Sequence, residues 1–281
     1  MQSARHIDRV RSAVSPVAGV RRWGMAIEAA CREGIALLRQ TPLMPFDLRW
    51  RAIEVAPTVR DIVVVLHGLF ATAGAMRPLR RAIESGLGVP TASFTYEPGC
   101  DVRTLCARLS ALLGGIPRTT RVHLVGHSLG GIVARYHVQV SPCDSRVVQT
   151  ISLGSPFAGS RVASSVPRWI ARDVAVGSGV LAAIERNWRR GDHVPHTSIV
   201  ASHDQMVIPR FSAAYPHGDV VIAEARGHNA LLFDREVAER VVDILRRGLT
   251  RHAFHGTGGV SVLAGILSMR RDPGSLPLAA G

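Results

Sequence analysis

A serine set between glycines, Gly126-His127-Ser128-Leu129-Gly130-Gly131, is the stretch of this chain best suited to chemistry. The apolar, β-branched run Val122–Val125 leads into it, and a helical pattern follows at once. Turning a strand into a helix within a few residues crowds the central position, and only small neighbours avoid a clash there. Ser128 would then stand exposed at the carboxyl edge of a sheet. The Leu129 amide beside it would point toward a substrate oxygen, where free N–H groups and the helix dipole favour negative charge. A G-x-S-x-G string alone has a chance expectation of roughly 0.2 in such a chain, so the strand before it and the helix after it carry the reading of Ser128 as a nucleophile.

A serine hydroxyl needs a base to take its proton, usually a histidine held by a carboxylate. Open α/β sheets present such groups at the carboxyl ends of their strands. The run Ile199–Asp204 places Asp204 just past one strand, and Ile222–His228 places His228 just past the next. The chain order Ser128, Asp204, His228 is the order that a serine on such a strand–turn–helix uses. Asp204 could also serve as a plain turn residue. Its rival Asp219 starts a strand and belongs at the opposite edge, and His217 sits in a turn before a strand. His123 and His127 read as structural. His193, His196 and His203 lack ligand spacing, so no metal is expected. The second oxyanion donor is expected from His67-Gly68-Leu69, where the Leu69 amide would join that of Leu129.

The elements that must hold these residues alternate along the chain. Strand patterns cover Ile62–Leu66, Thr91–Tyr96, Val122–Val125, Val147–Leu153, Thr197–Ala201 and Val220–Ala223. Helical patterns run through Met76 and Ile83, over Val102–Leu113, from the serine to Val140, and over Leu231–Arg246. Continuous apolar strands linked by helices predict an α/β fold with a doubly wound, mostly parallel sheet. Two short helical patterns, Pro167–Val174 and Val180–Arg189, interrupt the rhythm and suggest a helical cap or lid insertion at about 157–195. Met25–Arg39 reads as a further helix with Ile27, Ala30, Cys31, Ile35 and Leu38 on one side. Packing of that side on the domain edge is expected, with a membrane-surface anchor as the alternative. The chain thus divides into a mostly helical extension (1–50), an α/β domain (51–248) and a Gly-, Ser- and Pro-rich, poorly ordered tail (249–281).

The 281 residues carry a formal net charge of +13, and all 34 basic residues are Arg. Those arginines are dispersed and aromatics make up only 5%, so no nucleic-acid partner is expected. The positive balance leaves peripheral membrane association open. Cys31, Cys100, Cys106 and Cys143 show no metal spacing, although Cys100 and Cys106 could pair across a helix start. No uninterrupted apolar run follows Arg5, Arg9 and Arg11, so no secretory signal is expected and a cytoplasmic location is. The apolar run Gly258–Met269 is about half a membrane span.

Taken together, Val65–Leu69, the Gly126–Gly131 elbow, Leu153–Ser160, Asp204 with Val207 and Pro209, and Gly227-His228-Asn229 resemble the α/β-hydrolase family, and within it bacterial lipases and esterases. The resemblance covers about Asp61 to Leu245. It implies a Ser128–Asp204–His228 triad, Leu69 and Leu129 as oxyanion donors, and a lid between Phe157 and Pro195. It also implies a carboxylic-ester hydrolase that needs no cofactor and acts on a small-molecule or lipid ester. The apolar residues Phe70, Phe157, Trp169 and Leu181 are expected to hold the acyl group. Thioesterase or acyltransferase chemistry would use the same triad, and a non-catalytic binding protein is the reading outside enzymes.

Overall fold

The structure, a computed structural model, describes residues 20–49, 55–142 and 144–253. Strands β1 (Asp61–Leu66), β2 (Thr91–Ala92), β3 (Arg121–His127), β4 (Val147–Leu153), β5 (His196–Ala201) and β6 (Asp219–Ala223) form one sheet in the order β2-β1-β3-β4-β5-β6. Every neighbouring pair is parallel. Helices α1 (Val20–Gln40), α2 (Arg77–Leu87), α3 (Val102–Gly114), α4 (Leu129–Gln139), α5 (Arg168–Ala171), α6 (Gly179–Arg186) and α7 (Arg235–Ala253) surround it.

Both faces of the sheet are covered, which is why its strands read as unbroken apolar runs. Side chains alternate along β1: Ile62, Val64 and Leu66 enter one core with residues of α3 and α4. Val63 and Val65 enter the other with Leu79 and Ile83 of α2 and Val241 and Leu245 of α7. Full burial of such a side chain contributes roughly 1.5–3 kcal/mol, so the two cores fix the sheet firmly between its helices. The registers Leu66↔Gly126, His127↔Leu153 and Ala201↔Ala223 bring the carboxyl ends of adjacent strands level with one another. The loops that leave those ends therefore meet.

Three local expectations differ from what forms. The strand expected over Thr91–Tyr96 keeps a ladder only at Thr91–Ala92. Beyond it, side chains satisfy the edge instead: Ser93 Oγ donates to Val65 O at 2.6 Å, Thr95 Oγ1 to Asp47 O at 2.7 Å, and Tyr96 N–H to His67 Nε2 at 3.1 Å. The expected side of α1 does not pack on the domain. Ile27, Cys31, Ile35 and Leu38 are exposed, and the buried face is Ala29, Glu33 and Ala36. Small residues let this helix approach closely, and Glu33 has a polar reason, described below, to face inward. The last helix continues through Ala253, past the expected start of the tail at 249.

Cys100 and Cys106 are both free thiols: Cys106 is buried with Sγ toward Val133 O, while Cys100 lies against Glu97. Cys143, the first 19 residues and the run Gly258–Met269 lie outside the described residues. Among those described, no helix is long and apolar enough to cross a membrane.

Two glycines test this packing in opposite directions. A Cβ on Gly126 would stand 2.2 Å from Gly130 C and Gly131 N, whereas one on Gly34 of α1 would meet nothing within 4 Å. Gly126→Ala is expected to destabilise by about 3 kcal/mol, and Gly34→Ala to stabilise by roughly 0.5–1 kcal/mol, both read by urea denaturation. Equal, small effects would contradict the described close approach of β3 and α4.

Candidate active site

Ser128 joins β3 to α4 with φ 52° and ψ −117°. A non-glycine residue with such a backbone stores about 1–3 kcal/mol and needs surroundings that hold it there. The Ser128 N–H donates to Leu153 O at 2.9 Å, tying the turn to β4. Glycines make the turn feasible: a Cβ on Gly130 would stand 2.4 Å from Leu66 O, and one on Gly131 2.1 Å from Ser155 Oγ. Leu129 is the first helical residue, so its N–H has no acceptor within the helix.

The loop after β1 approaches from the other side. A Cβ on Gly68 would stand 2.9 Å from Ser128 Cβ, so only glycine lets Leu69 come this near the serine. His67 secures that loop. Its Nδ1–H donates to Gly68 O at 2.7 Å, its Nε2 accepts from Tyr96 N–H at 3.1 Å, and the two rings stack at 3.6 Å. Burial pushes the His67 pKa down to about 4, so the ring stays neutral and keeps one donor and one acceptor.

Asp204 and His228 meet beneath this turn. His228 Nδ1 lies 2.8 Å from Asp204 Oδ2. A carboxylate only accepts, so Nδ1 carries the proton and Nε2 of the neutral ring keeps a lone pair. Asp204 is also a turn residue: its Oδ1 accepts from Met206 N–H and Val207 N–H, both at 2.8 Å. One carboxylate oxygen thus serves the turn while the other meets His228. Gly154, at φ +60°, clears the space, since a Cβ there would stand 3.1 Å from His228 Nδ1 and 3.3 Å from Asp204 Oδ2.

Electrostatics separates the two adjacent imidazoles. Burial alone would lower the His228 pKa, but the Asp204 charge and hydrogen bond, with the Glu33 charge, raise it above the ordinary 6.5. Burial, then the nearby His228, drive His127 far below that value. Neutral His127 donates its Nε2–H to His228 O at 3.1 Å and so acts as a strut.

Ser128, His127 and His228 line one cavity of about 230 Å³. No hydrogen bond joins Ser128 to His228 among the described residues. The cavity wall is apolar, with Leu37, Leu69, Phe70, Val162, Val166 and Met206. Of the expected acyl-binding residues, only Phe70 is there. Phe157 packs into the core, 5.3 Å edge-on from His196 and 5.1 Å from Tyr215. Leu181 is buried in that core because α6 turns its apolar side under α4. Trp169 is exposed and lies against Gly99. His196, considered for a metal, is bonded to Thr150 and Ser152.

Sequence reasoning missed Glu33 and Leu37 of α1. Glu33 accepts hydrogen bonds from the loop that carries His228, and Leu37 forms part of the cavity wall. The available signal was Ala29 and Ala36 flanking Glu33 at helical spacing, which marks a close approach with one acid at its centre.

Residues 104–167 match the family described as PGAP1-like alpha/beta domain. No protein of curated function matches the chain significantly. Among solved structures, lipase BlEst2 of Bacillus licheniformis superimposes with TM-score 0.56 at 14% identity, covering 69% of this chain and 95% of its own. A structure from the metagenome-derived lipolytic enzymes LipS and LipT gives TM-score 0.51 at 16% identity, covering 73% and 99%. The ydeN gene product of B. subtilis gives 0.51 at 14%, covering 68% and 99%. At such identities the likeness establishes the fold, and the chain has the α/β-hydrolase fold.

The Asp204–His228 pair makes a prediction independent of any activity. In a ¹⁵N-histidine titration followed by NMR, His228 should deprotonate above pH 6.5. In Asp204→Asn its midpoint should fall, because burial then acts without the opposing charge. The raised folded value also means that the pair stabilises the fold fully below the unfolded pKa, and that this contribution fades as pH rises through the folded one. An unmoved midpoint in Asp204→Asn would contradict the pairing.

Proposed function

We propose, from the α/β-hydrolase fold and the hydrogen-bonded Asp204–His228 pair beside Ser128, that the chain is a serine hydrolase of carboxylic esters. The single observation that carries this reading is His228, held by Asp204 in the tautomer that leaves Nε2 free, on the wall of the cavity that Ser128 also lines.

In this reading His228 Nε2 takes the Ser128 proton as Oγ attacks the ester carbonyl. The Leu69 and Leu129 amides donate to the oxyanion of the tetrahedral intermediate, each worth roughly 3 kcal/mol of barrier. Asp204 stabilises the imidazolium, which then gives its proton to the departing alkoxide and leaves an acyl group on Ser128. Water repeats the sequence: His228 deprotonates it, the acyl–oxygen bond to Ser128 breaks, and the serine regains its proton. The apolar wall of Leu37, Leu69, Phe70, Val162, Val166 and Met206 suits an acyl chain better than a polar or charged group. The segment between β4 and β5, with α5 and α6, then serves as a cap whose Val162 and Val166 close one side of the cavity.

A panel of p-nitrophenyl esters and acyl thioesters, each with and without added alcohols, tests the reaction class. Ester hydrolysis should dominate, and Ser128→Ala should lose about 10⁴- to 10⁶-fold in kcat. Because a protonated His228 cannot act as base, kcat/KM should fall as pH drops through a value above 6.5. A thioester preference, or transfer to alcohol outrunning hydrolysis, would reassign the acyl donor or acceptor. Turnover that survives Ser128→Ala would overturn the mechanism.

A further inference from the structure

Helix α1 lies outside the stretch that resembles other hydrolases, yet it reaches the site twice. Leu37 and Gln40 line the Ser128 cavity. One turn earlier, the buried Glu33 carboxylate meets the loop that carries His228. Asn229 N–H lies 3.0 and 2.9 Å from its two oxygens, Asn229 Nδ2 donates to Oε1 at 2.7 Å, and Ala230 N–H donates to Oε2 at 3.0 Å. Gly227 permits this approach, since a Cβ there would stand 2.5 Å from Oε2. Next along the helix, Arg32 Nη1 donates to Asp234 Oδ2 at 2.8 Å, which anchors the far end of the same loop.

Burying a carboxylate is costly unless hydrogen bonds compensate it. Here they come from backbone and amide N–H groups, and among the described residues Glu33 has no arginine partner. The peptide unit between residues 228 and 229 is gripped at both ends: its carbonyl accepts from His127 Nε2–H, and its N–H donates to Glu33. Rotation of that peptide would swing the imidazole, so the two grips together set where Nε2 points.

We propose that Glu33 is a positioning residue for the base: it holds the backbone following His228 so that Nε2 faces Ser128, and its fixed negative charge favours the imidazolium formed during turnover. Helix α1 is on this view an integral wall of the active centre. The proposal rests on the Ser128–Asp204–His228 reading. Among the described residues, three titratable groups face His228: Asp204 from the loop after β5, Glu33 from α1, and His127 from the end of β3, the last kept neutral by burial.

The test is Glu33→Gln, which keeps the length and one accepting oxygen while removing the charge. In the folded variant kcat should drop about 10- to 100-fold with KM little changed, as expected for a misaimed base. The acid limb of kcat/KM and the His228 midpoint in the NMR titration should both move to lower pH. A lowered melting temperature with an unmoved midpoint would mean that Glu33 only supports the fold, and would overturn the proposal. Should Glu33→Gln not fold, Glu33→Asp decides: the charge is kept and the reach shortened, so the midpoint should stay near that of the wild type while kcat falls. Unchanged kcat in that variant would likewise overturn it. The NMR midpoint needs no turnover, so a shift in protein that hydrolyses no ester would refute the hydrolase reading alone.

Discussion

The reversal from strand to helix at Ser128 leaves no room for a side chain at Gly126, Gly130 or Gly131, and the site is built on that steric constraint. Gly126 lies against Gly130 and Gly131, Gly130 against Leu66, and Gly68 against Ser128 itself. The same closeness that excludes a Cβ brings the loop after β1 up against the serine. Strain at φ 52° persists because the sheet on one side and α4 on the other leave the turn no slack. On the proposed mechanism, a nucleophile on a softer turn would sample many directions, each weakening its alignment with the proposed oxyanion donors.

Around that rigid centre the charges are arranged with few members. Asp204 and Glu33 both act on His228 and raise its pKa against burial, whereas His127 and His67, equally buried, have no carboxylate partner among the described residues and stay neutral. One imidazole thereby holds its proton more readily than an ordinary histidine, and its neighbours are fixed as hydrogen-bonding struts. The contrast arises from the carboxylates, because all three rings are buried at the same edge of the sheet.

What the sequence discloses follows from the range of the forces involved. The glycines around Ser128 reflect a clash between residues a few positions apart, so their spacing is legible locally. Asp204 and His228 are legible because a parallel sheet puts strand ends at one edge, and they meet at 2.8 Å. The orientation of α1 is not legible from its apolar pattern. Ile27, Ile35 and Leu38 read as an inward face, yet the helix turns on Glu33, whose partners lie about 200 residues away in a loop that needs an acceptor. Nor does apolarity separate a core from a cavity: Phe157 and Leu181 fill the interior, while Phe70 and Leu37 line the cavity near Ser128. The shortened β2 has the same origin, since Ser93 and Thr95 direct side chains to distant carbonyls in place of a backbone ladder.

The central claim, that Ser128 is a nucleophile activated by His228, is tested most directly by a fluorophosphonate, which reacts covalently with an activated serine and with little else in a folded protein. Mass spectrometry of the labelled chain should find one adduct, on the peptide that carries Ser128, formed rapidly in the wild type and lost in folded His228→Gln. Labelling that is absent in the wild type, or that persists undiminished without the imidazole, would contradict the account.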